Sequence, residues 1–330
     1  MKEIIAELVE NTIHILDPDI LLIESKKYLQ KLSQNICSVI IYVYDDNSKN
    51  FCTTYNHFNQ FYVPIGIGPI SLCFISRDIV TNNLSIFYPM NNNLGVIQFN
   101  YVGDFSKDGK DLLQEGVKVF NTILQNALNY NDLKESFDSF VDVLGLTIDA
   151  RDYITSGHSK RTALYVEEMS KKLRTTEPSC KILKYGALLH DIGKITVSER
   201  ILFKNGKLSE TEFKEIKKHP TAGMELLMKA KLPKDYRNIP QIIEAHHERY
   251  DGTGYPKGLI GEEIPIEARI IAICDVFDAL TSFRQYRDTM SFDEALSLMT
   301  AEKGQFDPKL LNIFLRIPYD VLNIIDKKGR

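Results

Sequence analysis

The run Tyr185–Lys194, YGALLHDIGK, ends an apolar stretch on an adjacent histidine and aspartate, His190 and Asp191. An imidazole and a carboxylate beside aliphatic side chains are costly to bury unless they are paired or hold a metal. The run therefore reads as the end of a core helix whose last turn carries chemistry. Its surroundings are helical too. From residue 145 onward strand signals nearly vanish, and HSKRTALYVEEMSKKL, SETEFKEIKKHPTAGMELLMKA, PQIIEAHHE and IPIEARIIAICDVFDALTS follow one another with apolar residues three and four apart. Ser209 with Glu212 three residues later predicts a capping box. The C-terminal part is expected to be an all-α domain.

Upstream the pattern changes. SVIIYVYDD (38–46) and NNNLGVIQFNYVG (91–103) read as strands bounded by turn residues, and residues 106–130 as a helix. VPIGIGPISLCF (63–74) is expected to form a core strand, the alternative being the lining of a ligand pocket. This predicts a small α+β sensor-like domain over 1–128, a connecting helix over 129–144, and the helical domain over 145–330. In that connection Phe120, Leu124 and Ala127, then Leu133, Phe137, Phe140 and Leu144, step by three and four. A coiled-coil seam between two copies of the chain has this spacing, and so does a helix packed on its own domain.

Length and composition fit two soluble domains: 330 residues, 44% hydrophobic and 25% charged. The net charge of −4 argues against a binder of long nucleic acid. The five scattered cysteines form no CxxC pair, which predicts reduced thiols and a cytoplasmic setting. No apolar run approaches the roughly 18 residues that span a bilayer, and the opening MKEIIAELVENTIHILD reads as an amphipathic helix.

Five of the seven histidines, His158, His190, His219, His246 and His247, fall in the helical part. His14, expected in a helix, and His57, expected in a loop, have no companions. Asp275 lies inside the apolar RIIAICDVFDAL, where a carboxylate needs a cation or a hydrogen-bond partner. Imidazole and carboxylate suit first-row divalent metals, and a ligand set without cysteine argues against a structural zinc site. Seven candidate ligands, counting Asp191 and Asp275, are too many for one open metal and suit two with a bridging carboxylate.

HDIGK with HHERYDGTGYPKGL (246–259) downstream resembles the HD-GYP domains, the phosphodiesterase branch of the HD metal-dependent phosphohydrolases. The resemblance runs from about residue 140 to about 318 and includes ARDYITSGHSKR, KKHP, CDVFDALTSFRQYR and KGQFDP. The first domain resembles a GAF domain, by length, strand-to-helix ending and position. The resemblance implies one metal on His158, His190, Asp191 and Asp275, and a second on Asp191, His219, His246 and His247. It implies two divalent ions, iron or manganese, sharing a hydroxide that opens cyclic di-GMP to linear pGpG, with a slower or absent second cut to GMP.

Lys194 is then placed to steady phosphoryl charge, four residues after His190 on one face of a continuing helix. Arg284 and Arg287 correspond to substrate-holding positions. Tyr255, in a loop whose glycines allow tight turns, serves substrate access or a protein partner. Asp278 is expected to support the ligands without being one. Ile154 stands where some members carry a glutamate for a third metal, with Asp152 near it. The first domain would tune the rate through the connecting helix in response to a ligand the sequence does not identify. Two rivals remain: a hydrolase of another cyclic dinucleotide, and a catalytically silent receptor.

Overall fold

The computed structural model describes residues 2–46, 48–53, 63–66, 68–103, 107–151, 157–204, 206–282 and 289–329. Its contacts divide the chain into two units, Met1–Ser136 and Phe137–Arg330.

The first unit opens with α1 (Lys2–Thr12) and α2 (Pro18–Lys31). Asp17 caps α2, accepting from the backbone N–H groups of Asp19 and Ile20, with Pro18 in the first turn where its missing N–H costs nothing. Strands β1 (Ile36–Asp45), β2 (Asn50–Cys52), β3 (Val63–Pro64), β4 (Val80–Thr81), β5 (Ser85–Pro89) and β6 (Gly95–Tyr101) form an antiparallel sheet ordered β3-β2-β1-β6-β5-β4, with α3 (Pro69–Ser76) between β3 and β4. Alternation along β1 and β6 sends Ile41, Ile97 and Phe99 into a core shared with Leu21 and Leu29 of α2. On the other face Phe74 and Cys73 of α3 pack with Phe51 and Phe87.

Two expectations are corrected here. Of VPIGIGPISLCF, Val63–Pro64 is strand, whereas Pro69–Ser76 is the helix α3. Pro69 sits in its first turn, and that conformational bias outweighs the strand-like apolar content. His14 lies beyond the end of α1 and is exposed.

Helix α4 (Lys107–Arg151) runs 45 residues, a stretch that holds no proline. Phe120, Leu124 and Ala127 are buried in the first unit's core. Phe137 and Leu144 pack against the second unit's core. Within-chain packing accounts for these five, while Leu133 and Phe140 are exposed.

The second unit continues through α5 (His158–Leu173), α6 (Glu177–Leu189), α7 (Glu199–Leu202), α8 (Glu210–Ile216), α9 (His219–Met228), α10 (Ile239–Glu244), α11 (Ile266–Thr281), α12 (Phe292–Ala301), α13 (Pro308–Phe314) and α14 (Tyr319–Gly329). Helix α11 buries ten residues, so it is sheathed on most sides. Tyr165 of α5, Leu189 of α6, Ile243 of α10 and Phe277 of α11 lie in one core. The Ser209–Glu212 capping box forms as expected, and Ser291–Glu294 makes another. The five cysteines are free thiols, three of them buried. Among the described residues no helix is long and apolar enough to cross a membrane.

Candidate metal centre

Helix α6 stops at Leu189. His190 caps it, and Asp191 turns the chain into a 3-10 turn, Ile192–Thr196. The reason lies at Gly193: a Cβ there would stand 1.8 Å from the His219 carbonyl oxygen and 2.6 Å from the Gly223 nitrogen. Backbone meets backbone, which locks the turn against the start of α9 and brings His219, its first residue, to Asp191. His158 is the first residue of α5, His246 and His247 follow α10, and Asp275 lies midway along α11.

These seven side chains meet. Asp191 Oδ2 lies 3.3 Å from His190 Nε2, and its Oδ1 lies 3.2 Å from His219 Nε2. Asp275 Oδ1 is 3.0 Å from His158 Nε2 and 3.9 Å from His190 Nε2. His219 and His246 bring their Nε2 atoms within 3.4 Å, and the His246 and His247 rings lie 4.0 Å apart. Among the described residues three groups can each gather ligand atoms around one ion: His158–His190–Asp275, His190–Asp191–His246 and His219–His246–His247.

The rings are preset for ligation. His190, His219 and His246 each put Nδ1 against the carbonyl three residues earlier, at 2.7, 2.7 and 2.5 Å. A carbonyl only accepts, so Nδ1 carries the proton and Nε2 presents a lone pair to the cluster. His190 Nε2 is buried with no hydrogen-bond partner. Buried nitrogen lone pairs and carboxylate oxygens without thiolates fit divalent cations of the first transition row.

His158 differs: its Nδ1 lies 2.7 Å from Asp278 Oδ2. Arg161 holds that same carboxylate through Nε at 2.7 Å and Nη2 at 3.0 Å, and Ser282 donates to it. Asp278 thus fixes the His158 ring from the side away from Asp275.

The charges divide the cluster. Burial opposes a charge on His158, but hydrogen bonds with Asp275 and Asp278 outweigh it and raise its pKa to about 10. Burial also works against ionised Asp191, yet Lys194 and His190 hold it well below the usual carboxylate range. On the other side burial and neighbouring imidazoles push His246 well down, and burial takes His247 to about 4. Neutral imidazole is the form that ligates.

Lys194 reaches Asp191 Oδ2 at 2.6 Å. The continuing helix expected for it is corrected: the 3-10 turn carries it there.

The loop after His247 is built on glycine. Gly252, Gly258 and Gly261 have φ of +80°, +67° and +58°, a region that costs other residues strain. At Gly254 a Cβ would stand 2.2 Å from the Arg249 nitrogen. Glu248, unflagged in the sequence, accepts from the N–H groups of Lys257, Gly258 and Leu259 and ties the loop down. Tyr255 lays its ring 4.9 Å from that of His247, and Lys217 Nζ sits over the Tyr255 ring, 4.8 Å from its centroid. Gly254→Ala is expected to displace this loop and destabilise the protein by about 1–3 kcal/mol. Thermal unfolding checks it; an unchanged melting temperature contradicts the close approach.

Arg284, Arg287, Asp152, Ile154 and His57 lie outside the described residues. Arg161 also escaped sequence reading, although it stands three residues after His158, on the same helical side.

A family model for the HD domain matches residues 144–310, just over half of the chain. The chain belongs to the HD-domain family. The HD domain also carries similarity to curated proteins. RpfG, the cyclic di-GMP phosphodiesterase response regulator of Xanthomonas campestris pv. campestris (strain 8004), is 39% identical over 206 residues, 61% of this chain and 54% of its own. The 3'3'-cGAMP-specific phosphodiesterase 2 of Vibrio cholerae serotype O1 is 35% identical over 229 residues, 67% of this chain and 43% of its own. The HD-domain chain therefore spans about half the length of these relatives.

Proposed function

We propose that this chain is a metal-dependent phosphodiesterase of the HD-GYP type that hydrolyses cyclic di-GMP to linear pGpG, regulated by a GAF-like first unit. The observation that carries the reading is Asp191, which turns one carboxylate oxygen to His190 and the other to His219. A single group facing two ligand sets is what a paired-cation site needs.

In this reading His158, His190, Asp191 and Asp275 hold one divalent cation, and Asp191, His219, His246 and His247 hold the other, as iron or manganese. Bound there, the two cations supply an acidified water and neutralise phosphoryl charge. The chain's own residues do the rest. Lys194 offers its ammonium beside Asp191, to charge building on the phosphoryl oxygens. Asp278 and Arg161 fix the His158 ring, and Tyr255 backs His247. Arg284 and Arg287 are assigned to the substrate's phosphates or bases by the resemblance.

The relatives divide between two substrates by name, cyclic di-GMP and 3'3'-cGAMP, so the cGAMP reading stands second. Both dinucleotides are to be offered to anaerobically purified protein loaded with Fe(II) or Mn(II), with products identified by mass. Cleavage of cyclic di-GMP to pGpG is expected. Cleavage of cGAMP alone would move the substrate, and tight binding without turnover by either metal form would make the chain a receptor. Removing the ions with a chelator is expected to lower turnover by about three orders of magnitude or more and to be reversed by adding metal back.

A further inference from the structure

We infer that a cavity beside Lys194 is a phosphate subsite, anchored by Arg151, that takes the non-reacting phosphodiester of a cyclic dinucleotide; this rests on the function proposed above. The cavity holds about 220 Å³ and is lined by Thr147, Ile148, Arg151, Lys194, Ile195 and Leu202. It adjoins the cluster, because Lys194 Nζ lies 2.6 Å from Asp191 Oδ2. One lysine therefore faces both places.

Arg151 is the last residue of α4. Its Nη2 donates to the Val197 carbonyl at 3.2 Å, which fixes the guanidinium. Its Nε is buried and has no hydrogen-bond partner. A buried donor left unmade is costly, and a charged one more so, which marks the position of a missing acceptor. No acid among the described residues forms a salt bridge with Arg151.

Phosphate fits both partners: arginine offers it a planar fork and lysine a point charge. The walls of Ile148, Ile195 and Leu202 are apolar and suit the sugar and base next to that phosphate, and Ile195 is left half exposed for such a contact. The reacting diester must sit at the Asp191 cluster. A cyclic dinucleotide has a second diester that its ring holds close to the first, whereas a one-phosphate diester has none. Arg151 is thus a residue that selects for the ring.

Arg151→Gln and Arg151→Lys test this, with cyclic di-GMP, 3'3'-cGAMP and bis(p-nitrophenyl) phosphate as substrates and a melting curve for each variant. In Arg151→Gln, kcat/KM for the cyclic dinucleotide is expected to fall about 10–100-fold, chiefly through KM, against about threefold or less for the small diester. Arg151→Lys keeps the charge without the fork and is expected to fall between. A parallel loss on both kinds of substrate would assign Arg151 to holding Val197 and overturn the subsite, as would no selective loss at all. A wild-type protein that cleaves the small diester but neither dinucleotide overturns the proposed function and the subsite with it.

Discussion

Asp191→Asn is expected to lower phosphodiester hydrolysis by about a thousandfold or more while leaving the fold in place. The substitution is nearly the same shape, but one oxygen becomes an NH2 group that donates and cannot ligate. Whichever way the amide turns, it faces either His190 or His219 with the wrong atom. The lost charge also takes from Lys194 the carboxylate that lies 2.6 Å from its ammonium. Both halves of the cluster therefore weaken together. Turnover and bound metal measured on the same preparation check this, and near-wild-type values of either contradict it.

Asp278→Ala is expected to act differently, with its main effect on stability. Asp278, Arg161 and His158 are all buried, and Asp278 is the common partner of the other two. Removing it takes the facing carboxylate from the buried Arg161 guanidinium, which costs about 3–5 kcal/mol. Replacing the ion pair whole, as Asp278→Leu with Arg161→Met, is expected to recover most of that loss. It will not restore the ring orientation of His158, so metal affinity stays about 10–100-fold down. Chemical unfolding and metal titration separate the two effects. If the single and double variants unfold alike, the buried charge is not what Asp278 supplies.

The histidine–aspartate cluster was legible because its members interrupt apolar runs: His190 and Asp191 end one, and Asp275 sits within another, where a polar residue is costly without a partner. Helices of the second unit were legible by their spacing and caps. What escaped the sequence was set by contacts between distant segments. Pro69–Ser76 is as apolar as a strand, and a proline in its first turn decided for helix. The spacing of Phe120, Leu124, Ala127, Phe137 and Leu144 on α4 fits a second chain as well as it fits the chain's own cores, and only packing tells them apart. The stop after Leu189 depends on Gly193 meeting α9, a contact with no local signature. Glu248 and Arg161 look like ordinary surface charges until the loop closes over one and α11 lies against the other.

The central claim is that these imidazoles and carboxylates hold two cations at once, and metal content per chain tests it most directly. Protein purified without oxygen and loaded with iron or manganese is expected to carry about two ions, His246→Ala and Asp275→Asn about one each, and Asp191→Asn fewer than one. A wild-type chain that retains no ion after loading, or variants that all keep the full complement, would contradict the account.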